Sequence, residues 1–210
     1  MATLLQGEGL RWQEGAGQLD FTLPVGARAV TVGGDAARRA AFRALITGRL
    51  RHFSAQSFTA GTITWRGKEA GRLSRRGWRR WQQEAIPLAT DPRRSLLPST
   101  RVERLLREVG SRGEEAERWL EMAGLPPVIR PWPVRWLSTA WRLRLLMALA
   151  LARRPALIVL DDFAARIAGE LWSAMLAEWM QRLPREVALV VTLQSTAPPL
   201  GATQTIPLDF

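Results

Sequence analysis

Hydrophobic and polar residues follow two different periods along this chain. Before residue 65, short runs that partly alternate apolar and polar positions are broken by glycine and proline, which predicts a small antiparallel β region. Later runs such as ALIVL and EVALVVTL are continuously apolar, as strands are when both faces of a sheet are covered. We therefore expect residues 28–32, 156–160 and 187–192 to lie side by side in a central sheet.

Helical patterns fall between these strands. Residues 99–123 carry apolar stripes at helical spacing, residues 36–47 and 168–182 also read as helices, and Ser138 is the expected N-cap of a helix that ends near Arg153. Further short strands are expected within 61–67 and 84–92. Helices that alternate with buried strands favour an α/β fold, with a helical block inserted between two halves of the sheet.

Composition places the chain among globular proteins. Of its 210 residues, 47% are hydrophobic and 23% are charged, and no apolar run reaches the length of a membrane span. The sequence has no cysteine, which excludes disulfides and thiolate metal sites, and the single histidine, His52, is too few for a histidine-based metal site. The first residues do not form a secretory signal, so a cytosolic location is expected.

The net charge of +11 comes almost entirely from arginine, since Lys68 is the only lysine. Three explanations are open: coding bias, apposition to an acidic partner or to the inner membrane surface, and nucleic-acid binding. Nucleic acid ranks last because the basic residues are dispersed and no known binding pattern accompanies them. The densest cluster, RLSRRGWRRW, would bind RNA through stacking on Trp78 and Trp81.

Two stretches carry candidate chemistry. VTVGGDAARRA is a strand, the pair Gly33-Gly34 and a helix, which is the arrangement of a phosphate-binding loop. ALIVLDD is a buried strand that ends in Asp161-Asp162, at the edge where α/β sheets bind ligands. An acidic pair there suits a magnesium ion, although a capped strand end is an equal alternative on this pattern alone.

Read in order, the motifs resemble those of the ATP-binding subunits of ABC transporters over about residues 3–195. The strongest match is LSTAWRLRLLMALALARRPALIVLDD, which keeps part of the signature motif, the helix behind it and the Walker B strand at the family's spacing. The stretch ATDPRRSLLPSTRVERLL is most similar to the subclass that serves oligopeptide, dipeptide and nickel importers.

The resemblance implies an ABC-type P-loop ATPase fold in a single domain. The β region and RecA-like core would occupy about residues 1–94 and 150–210, and a helical subdomain about 95–149. In that family two domains form a head-to-tail dimer, and each ATP lies between the Walker A loop of one subunit and the signature motif of the other. The helical subdomain contacts the membrane subunits.

The Walker A pattern falls on residues 33–40, where only Gly33 survives as a motif glycine. Arg39 replaces the lysine, Ala40 removes the hydroxyl that would bind magnesium, and Asp35 adds a negative charge. Gly33, Gly34 and Arg39 are thus the degenerate nucleotide-binding candidates.

Two further substitutions in this loop are expected to strain it. Ala36 and Arg38 stand where the family's loop needs close backbone approach, and forcing such residues into the left-handed region costs about 1–2 kcal/mol each. Both changes therefore oppose phosphate binding.

The other nucleotide motifs are eroded as well. The signature keeps Leu137 and Ser138 but ends in Thr139-Ala140-Trp141 in place of two glycines and a glutamine. Asp161 keeps the Walker B position and is the candidate magnesium ligand. Asp162 stands where the general-base glutamate belongs, one methylene shorter, and is the catalytic candidate.

Three more family positions have lost their residues. The Q-loop glutamine aligns with Thr90, the D-loop aspartate with Ala168, and the switch histidine with Leu193 or Gln194. Trp12 lies near the position of the aromatic residue that stacks on adenine, where ordinary packing is the better explanation.

The sequence therefore predicts a degenerate nucleotide-binding subunit, peripheral on the inner face of the membrane. It would pair with a competent homologous ATPase subunit and with permease subunits, and through them with a substrate-binding protein. ATP and Mg would be bound mainly by the partner, and Trp132, Trp136 and Trp141 would contact it or a membrane subunit. The alternatives are a weak ATPase, a nucleic-acid or regulatory module on the same scaffold, and an unrelated α/β interaction domain.

Overall fold

The computed structural model describes residues 2–12, 17–49, 58–88, 91, 95–161, 167, 169–193 and 201–209. The strands are β1 (Thr3–Trp12), β2 (Leu19–Pro24), β3 (Arg28–Val32), β4 (Phe58–Trp65), β5 (Lys68–Glu69), β6 (Ala85–Leu88), β7 (Leu157–Leu160), β8 (Ala188–Thr192) and β9 (Gln204–Pro207). The α-helices are α1 (Ala36–Ile46), α2 (Arg75–Glu84), α3 (Val102–Glu108), α4 (Gly113–Met122), α5 (Thr139–Ala152) and α6 (Gly169–Arg182).

An antiparallel sheet with the order β2-β1-β4-β5 forms the first part of the chain. β1 pairs antiparallel with both β2 and β4, and its buried positions include Leu4, Leu5 and Leu10. The register shifts near Gly61, where a Cβ would lie 2.7 Å from the backbone of Gly9, so this close approach needs glycine. The predicted antiparallel region is confirmed and extends slightly further, to Glu69.

The second sheet has the order β6-β7-β8-β3-β9, in which β7, β8, β3 and β9 run parallel. All residues of β7 and β8 are buried, as their unbroken apolar runs predict. The three strands that we expected side by side are neighbours in this sheet, so the predicted α/β fold is confirmed.

Two elements of this part of the chain were not predicted. α2 is rich in arginine, and it is held by Trp81, whose indole is fully buried between the rings of Trp65 and Trp78. Gly48 makes room for that ring, since a Cβ there would lie 2.8 Å from the indole. β9 is short and partly polar, and it pairs with β3.

The chain divides into two compact units, residues 1–87, 156–162 and 184–210 in one and 88–155 and 163–183 in the other. The second unit contains α3 to α6. The stretch that reads as helical over 99–123 is two helices, which a turn at Gly110 separates. Within this unit Arg144 forms an ion pair of 2.7 Å with Glu178, and the Trp179 indole donates to the Ala123 carbonyl.

No helix in the described part of the chain is long and apolar enough to cross a bilayer.

Candidate functional site

The loop between β3 and α1 consists of Gly33, Gly34 and Asp35. Both glycines have positive φ, +74° and +66°, so the loop keeps the backbone shape that favours glycine. The Asp35 side chain caps α1 by accepting a 2.7 Å hydrogen bond from the amide of Arg38. The helix therefore begins at Ala36.

The prediction that Ala36 and Arg38 strain the loop is wrong. Both residues lie in α1, and the described non-glycine residues with positive φ are Arg66 and Arg154. The reason is that α1 starts three residues after Gly33, where a full phosphate-binding loop would continue. The loop is therefore short rather than strained.

A carboxylate from the same chain occupies the anion-binding side of this loop. The amide of Gly34 donates to Asp209 Oδ1 at 2.5 Å. A Cβ built on Gly33 would lie 1.8 Å from Asp209 Oδ2, which shows how closely this carboxylate packs on the loop. Asp209 follows β9, whose pairing with β3 brings the two segments together. The sequence resemblance ended near residue 195 and gave no signal of this contact.

The two arginines that follow the loop also form contacts within the protein. Arg39 donates from Nη1 to the carbonyl oxygen of Gly34. Arg38 donates to the Leu208 carbonyl at 2.9 Å, and its guanidinium lies 5.4 Å from the Trp12 ring centroid. Trp12 is only 6% exposed, which fits packing rather than an open face for adenine.

Asp161, at the end of β7, forms an ion pair with a residue that sequence analysis did not single out. Arg43 of α1 donates to Asp161 Oδ1 at 2.7 Å and lies 3.2 Å from Thr192 Oγ1. Thr192 in turn donates to the same carboxylate oxygen at 3.1 Å. Because Arg43 lies one helical turn after Arg39, helical spacing was the signal that would have placed it at this site.

The Arg43 guanidinium is the cation that pairs with Asp161. Burial lowers its pKa, the neighbouring carboxylate of Asp161 raises it, and the positive charge of Arg39 lowers it. An arginine remains protonated throughout the physiological range. The pair is therefore a permanent cation and an anion, largely shielded, with 15% and 24% of the two side chains exposed.

These residues do not fit a magnesium–nucleotide. Arg43 already neutralises the carboxylate that would hold the ion, and Ala40 offers no hydroxyl ligand. The loop amide that would contact a phosphate is bonded to Asp209. Within the described ranges, no group of three His, Cys, Asp or Glu side chains is arranged to hold a metal.

Ser138 belongs to the second unit, where it caps α5 as predicted by accepting a 3.2 Å hydrogen bond from the Trp141 amide. Trp132 lies between two other indoles, stacked on Trp141 and edge-on to Trp136, at centroid distances of 6.2 Å in both cases. Trp136 is 63% exposed, so the cluster presents an indole to solvent.

The catalytic candidate Asp162 lies outside the described part of the chain, as do four other residues discussed in the sequence analysis: His52, Thr90, Ala168 and Gln194. Leu193 is described, and it occupies one of the two registers expected for the switch histidine. Its side chain is 5% exposed and its amide donates to the Thr31 carbonyl at 3.0 Å, so it is a core residue.

Trp78 and Trp81, the predicted RNA-stacking residues, are not both available to stack on a base. Trp81 is fully buried, with Trp65 and Trp78 stacked at 5.3 and 5.2 Å, and its indole nitrogen donates to the Ile46 carbonyl. A base therefore cannot stack on Trp81.

Comparison with known proteins gives a likeness in structure alone. No protein-family model matches the chain, and no curated protein matches its sequence. A similar solved structure is CbiO1 from Clostridium perfringens, part of the ABC transporter complex CbiONQ, with a TM-score of 0.79 at 17% identity over 100% of this chain and 86% of that one.

A bacterial Atm1-family ABC exporter with ATP bound is also similar. Its TM-score is 0.66 at 13% identity, over 92% of this chain and 35% of the exporter chain. At these identities the likeness concerns the fold. The chain has the α/β fold seen in these ABC transporter proteins.

Proposed function

We propose that this protein is a degenerate nucleotide-binding subunit of an ABC transporter, which supports assembly and coupling while a competent partner hydrolyses ATP. The observation that carries the proposal is the internal occupation of its own nucleotide site. Asp209 is bonded to the Gly34 amide, and Arg43 is paired with Asp161. A fold retained without a usable phosphate site is expected of a subunit whose role is structural.

The similar structures support membrane permeases as the kind of partner, because CbiO1 is described as part of a transporter complex. The finer assignment to a peptide- or nickel-type importer rests on the resemblance of residues 89–106 to that subclass. The resemblance to this family is also the reason for placing the protein on the inner face of the membrane.

Two surface features of the second unit support contact with a partner. The exposed indole of Trp136 is the kind of residue that anchors interfaces. Ser138 is exposed at the start of α5, where the family's signature serine meets the γ-phosphate held by the opposite subunit. In this proposal, ATP on the partner's Walker A loop is approached by Ser138.

A weak ATPase of the same fold is the second candidate, and it is disfavoured. It would have to displace Asp209 from Gly34 and Arg43 from Asp161 before a phosphate and a metal could bind. Nucleic-acid binding is disfavoured further, because the buried Trp81 removes one of its two expected stacking residues.

The test requires a complex with a competent ATPase subunit and permease subunits, which are to be sought among the products of neighbouring genes. ATPase rate and transport are compared for three complexes: wild type, Arg39→Ala in this chain, and the Walker lysine changed in the partner. The partner change should abolish both activities, whereas Arg39→Ala should leave them nearly intact, since the Arg39 side chain donates its hydrogen bond to the carbonyl of its own loop rather than standing free for a phosphate.

Assembly of each complex is checked by size-exclusion chromatography before activity is measured. Loss of ATPase activity with Arg39→Ala in an assembled complex would show that this loop binds nucleotide. A chain that remains a stable monomer in the presence of those subunits would exclude the subunit role.

A further inference from the structure

We propose that a pocket at the start of α4 is a binding site for a phosphate group. The pocket has a volume of about 300 Å³, near the lower end for small-ligand sites. Its lining residues are Glu103, Arg107, Ser111, Arg112, Gly113, Ala116 and Arg130. All of them belong to the second unit, and none belongs to the nucleotide motifs, so the proposal does not depend on the proposed function.

The N-terminus of α4 opens into this pocket. The Arg112 side chain, at the N-cap position, makes no capping hydrogen bond, and the first amides of a helix have no partner within it. Gly113 is the first helical residue, and a Cβ built there meets no atom within 4 Å among the described residues. Gly113 has a φ of +54° and open space beside its Cα, so an oxyanion held there would lie at the positive end of the helix dipole.

Ser111 supplies an independent indication of a ligand. It is only 1% exposed, it lines the pocket, and its Oγ has no hydrogen-bond partner in the described part of the chain. A buried hydroxyl without a partner is costly, and native structures rarely leave one unexplained. A phosphate oxygen in the pocket would accept its hydrogen bond.

Three guanidinium groups give the pocket its charge. Arg112 forms no ion pair with the described residues, and Arg107 forms only a loose one, 3.9 Å from Glu103. Arg130 pairs with Glu117 through Nη1, while its Nε is buried without a partner. The planar forks of arginine match phosphate oxygens in geometry.

The acidic residues nearby cancel this charge only in part, through the pairs of Arg107 with Glu103 and of Arg130 with Glu117. Glu103 is the acidic residue among the lining side chains, against three arginines. Glu115, in the first turn of α4, is paired with Arg154 at 3.2 Å, and Glu114 is exposed. A phosphate monoester carries close to two negative charges and three acceptor oxygens, so it can use the arginines, the hydroxyl and the helix amides together.

The experiment measures binding of inorganic phosphate to the whole chain by calorimetry and by ¹⁵N NMR. We expect saturable binding and shifts at the Gly113 and Glu114 amides. The double variant Arg107→Gln/Arg112→Gln should weaken binding at least tenfold. Ser111→Ala should weaken it about threefold to tenfold with no loss of thermal stability in phosphate-free buffer, since the hydroxyl has no protein partner to lose.

The matched control is Arg104→Gln/Arg118→Gln, which removes the same charge from α3 and α4 but outside the pocket. It should bind phosphate as the wild type does. Absence of saturable binding, or an equal loss in the control and the pocket variant, would overturn the proposal. So would phosphate-induced shifts that leave the Gly113 and Glu114 amides unchanged.

Two sources of the phosphate group are separated by a second comparison. Glycerol 3-phosphate represents a soluble ester, and phosphatidylcholine vesicles with phosphatidic acid represent a lipid headgroup, with pure phosphatidylcholine vesicles as the blank. A small-molecule ligand is indicated if the protein binds glycerol 3-phosphate but not phosphatidic acid vesicles, and if this binding requires Arg107 and Arg112. A membrane lipid is indicated if the protein also binds phosphatidic acid vesicles, and not the pure phosphatidylcholine blank, through the same two arginines.

Discussion

Arg43 Nη1 lies 2.7 Å from Asp161 Oδ1, so the carboxylate at the end of β7 already has a positive partner within its own domain. Thr192 donates to the same oxygen and holds it in place. In open α/β sheets ligands bind at the carboxyl ends of the strands, and Mg²⁺ is usually held by one or two carboxylates. Here that edge is neutralised from within the chain.

This pair should behave as a coupled unit. Arg43→Met or Asp161→Asn alone should lower the free energy of unfolding by about 1.5–3 kcal/mol, because each leaves a largely shielded charge without its partner. The double variant should lose clearly less than the sum of the two. Urea unfolding measures all three, with the exposed pair Arg104 and Glu108 as a control that changes by less than about 0.5 kcal/mol. Strictly additive losses would contradict the coupling.

The contact of Asp209 with the glycine loop should be visible in hydrogen exchange. In Asp209→Asn the Gly34 amide loses its charged acceptor, so its protection should fall by about tenfold, or ~1.4 kcal/mol. NMR-detected exchange reports this amide individually. Gln204→Ala, in β9, is the control and should leave Gly34 protection unchanged. Unchanged protection in Asp209→Asn would mean that the carboxylate does not hold the loop.

Ser138 stabilises α5 as its N-cap, whether or not it also contacts a partner subunit. Ser138→Ala should destabilise the protein by about 1 kcal/mol through loss of the α5 cap, whereas Ser138→Asp should retain stability. Ser74→Ala removes the equivalent cap of α2 and provides the comparison. If Ser138→Asp preserves stability but lowers the ATPase rate of the complex, the serine acts at the partner's nucleotide. An equal loss of stability in both Ser138 variants would contradict the capping role.

The indoles should divide into structural and interface residues. Trp81→Ala should cost about 3–5 kcal/mol, because this ring is fully buried between two others. Trp136→Ala should change the free energy of unfolding by less than about 0.5 kcal/mol, because the ring is mostly exposed. In pull-down titrations, Trp136→Ala should weaken assembly with the partner subunits about tenfold or more. Unaltered assembly would remove Trp136 from the interface.

Asp20 should make the antiparallel sheet sensitive to acid. Its carboxylate accepts a 2.6 Å hydrogen bond from the Gly9 amide and further bonds from Gln18, and these lower its pKa from the ordinary value of 3.8. A lowered folded-state pKa means that the stabilisation is fully present above pH 3.8 and is lost as the pH falls through the folded-state pKa. The difference in urea midpoint between wild type and Asp20→Asn should therefore shrink below that pH. A difference that is constant with pH would exclude the ionised carboxylate as its cause.

Local patterns were sufficient to predict much of the fold. The apolar runs of β7 and β8 and the serine before α5 each carry their structural signal within a few residues. α2 was missed because its tertiary anchor, Trp81, lies among arginines that suggest a solvated or nucleic-acid-binding segment.

The contacts that fill the candidate site could not be predicted from the sequence. The sequence predicted departures from the family's motif residues, but the side chains that contact the loop and Asp161 come from distant parts of the chain. Asp209 is 175 positions from Gly34 and Arg43 is 118 from Asp161, so neither pairing has a local signature. The expected strain at Ala36 failed for a related reason, since Asp35 starts the helix early and shortens the loop.

The position of β3 in the parallel sheet has a consequence for synthesis on the ribosome. Both neighbours of β3, namely β8 and β9, come from residues 188–207, so neither edge of this early strand can pair until that distant segment has emerged. At 5–20 residues per second the wait is roughly 10–30 s. Throughout that interval the nascent chain carries an apolar strand with two open edges, which is a template for wrong pairing. The protein is therefore expected to depend on chaperone protection during translation more than its finished structure would indicate.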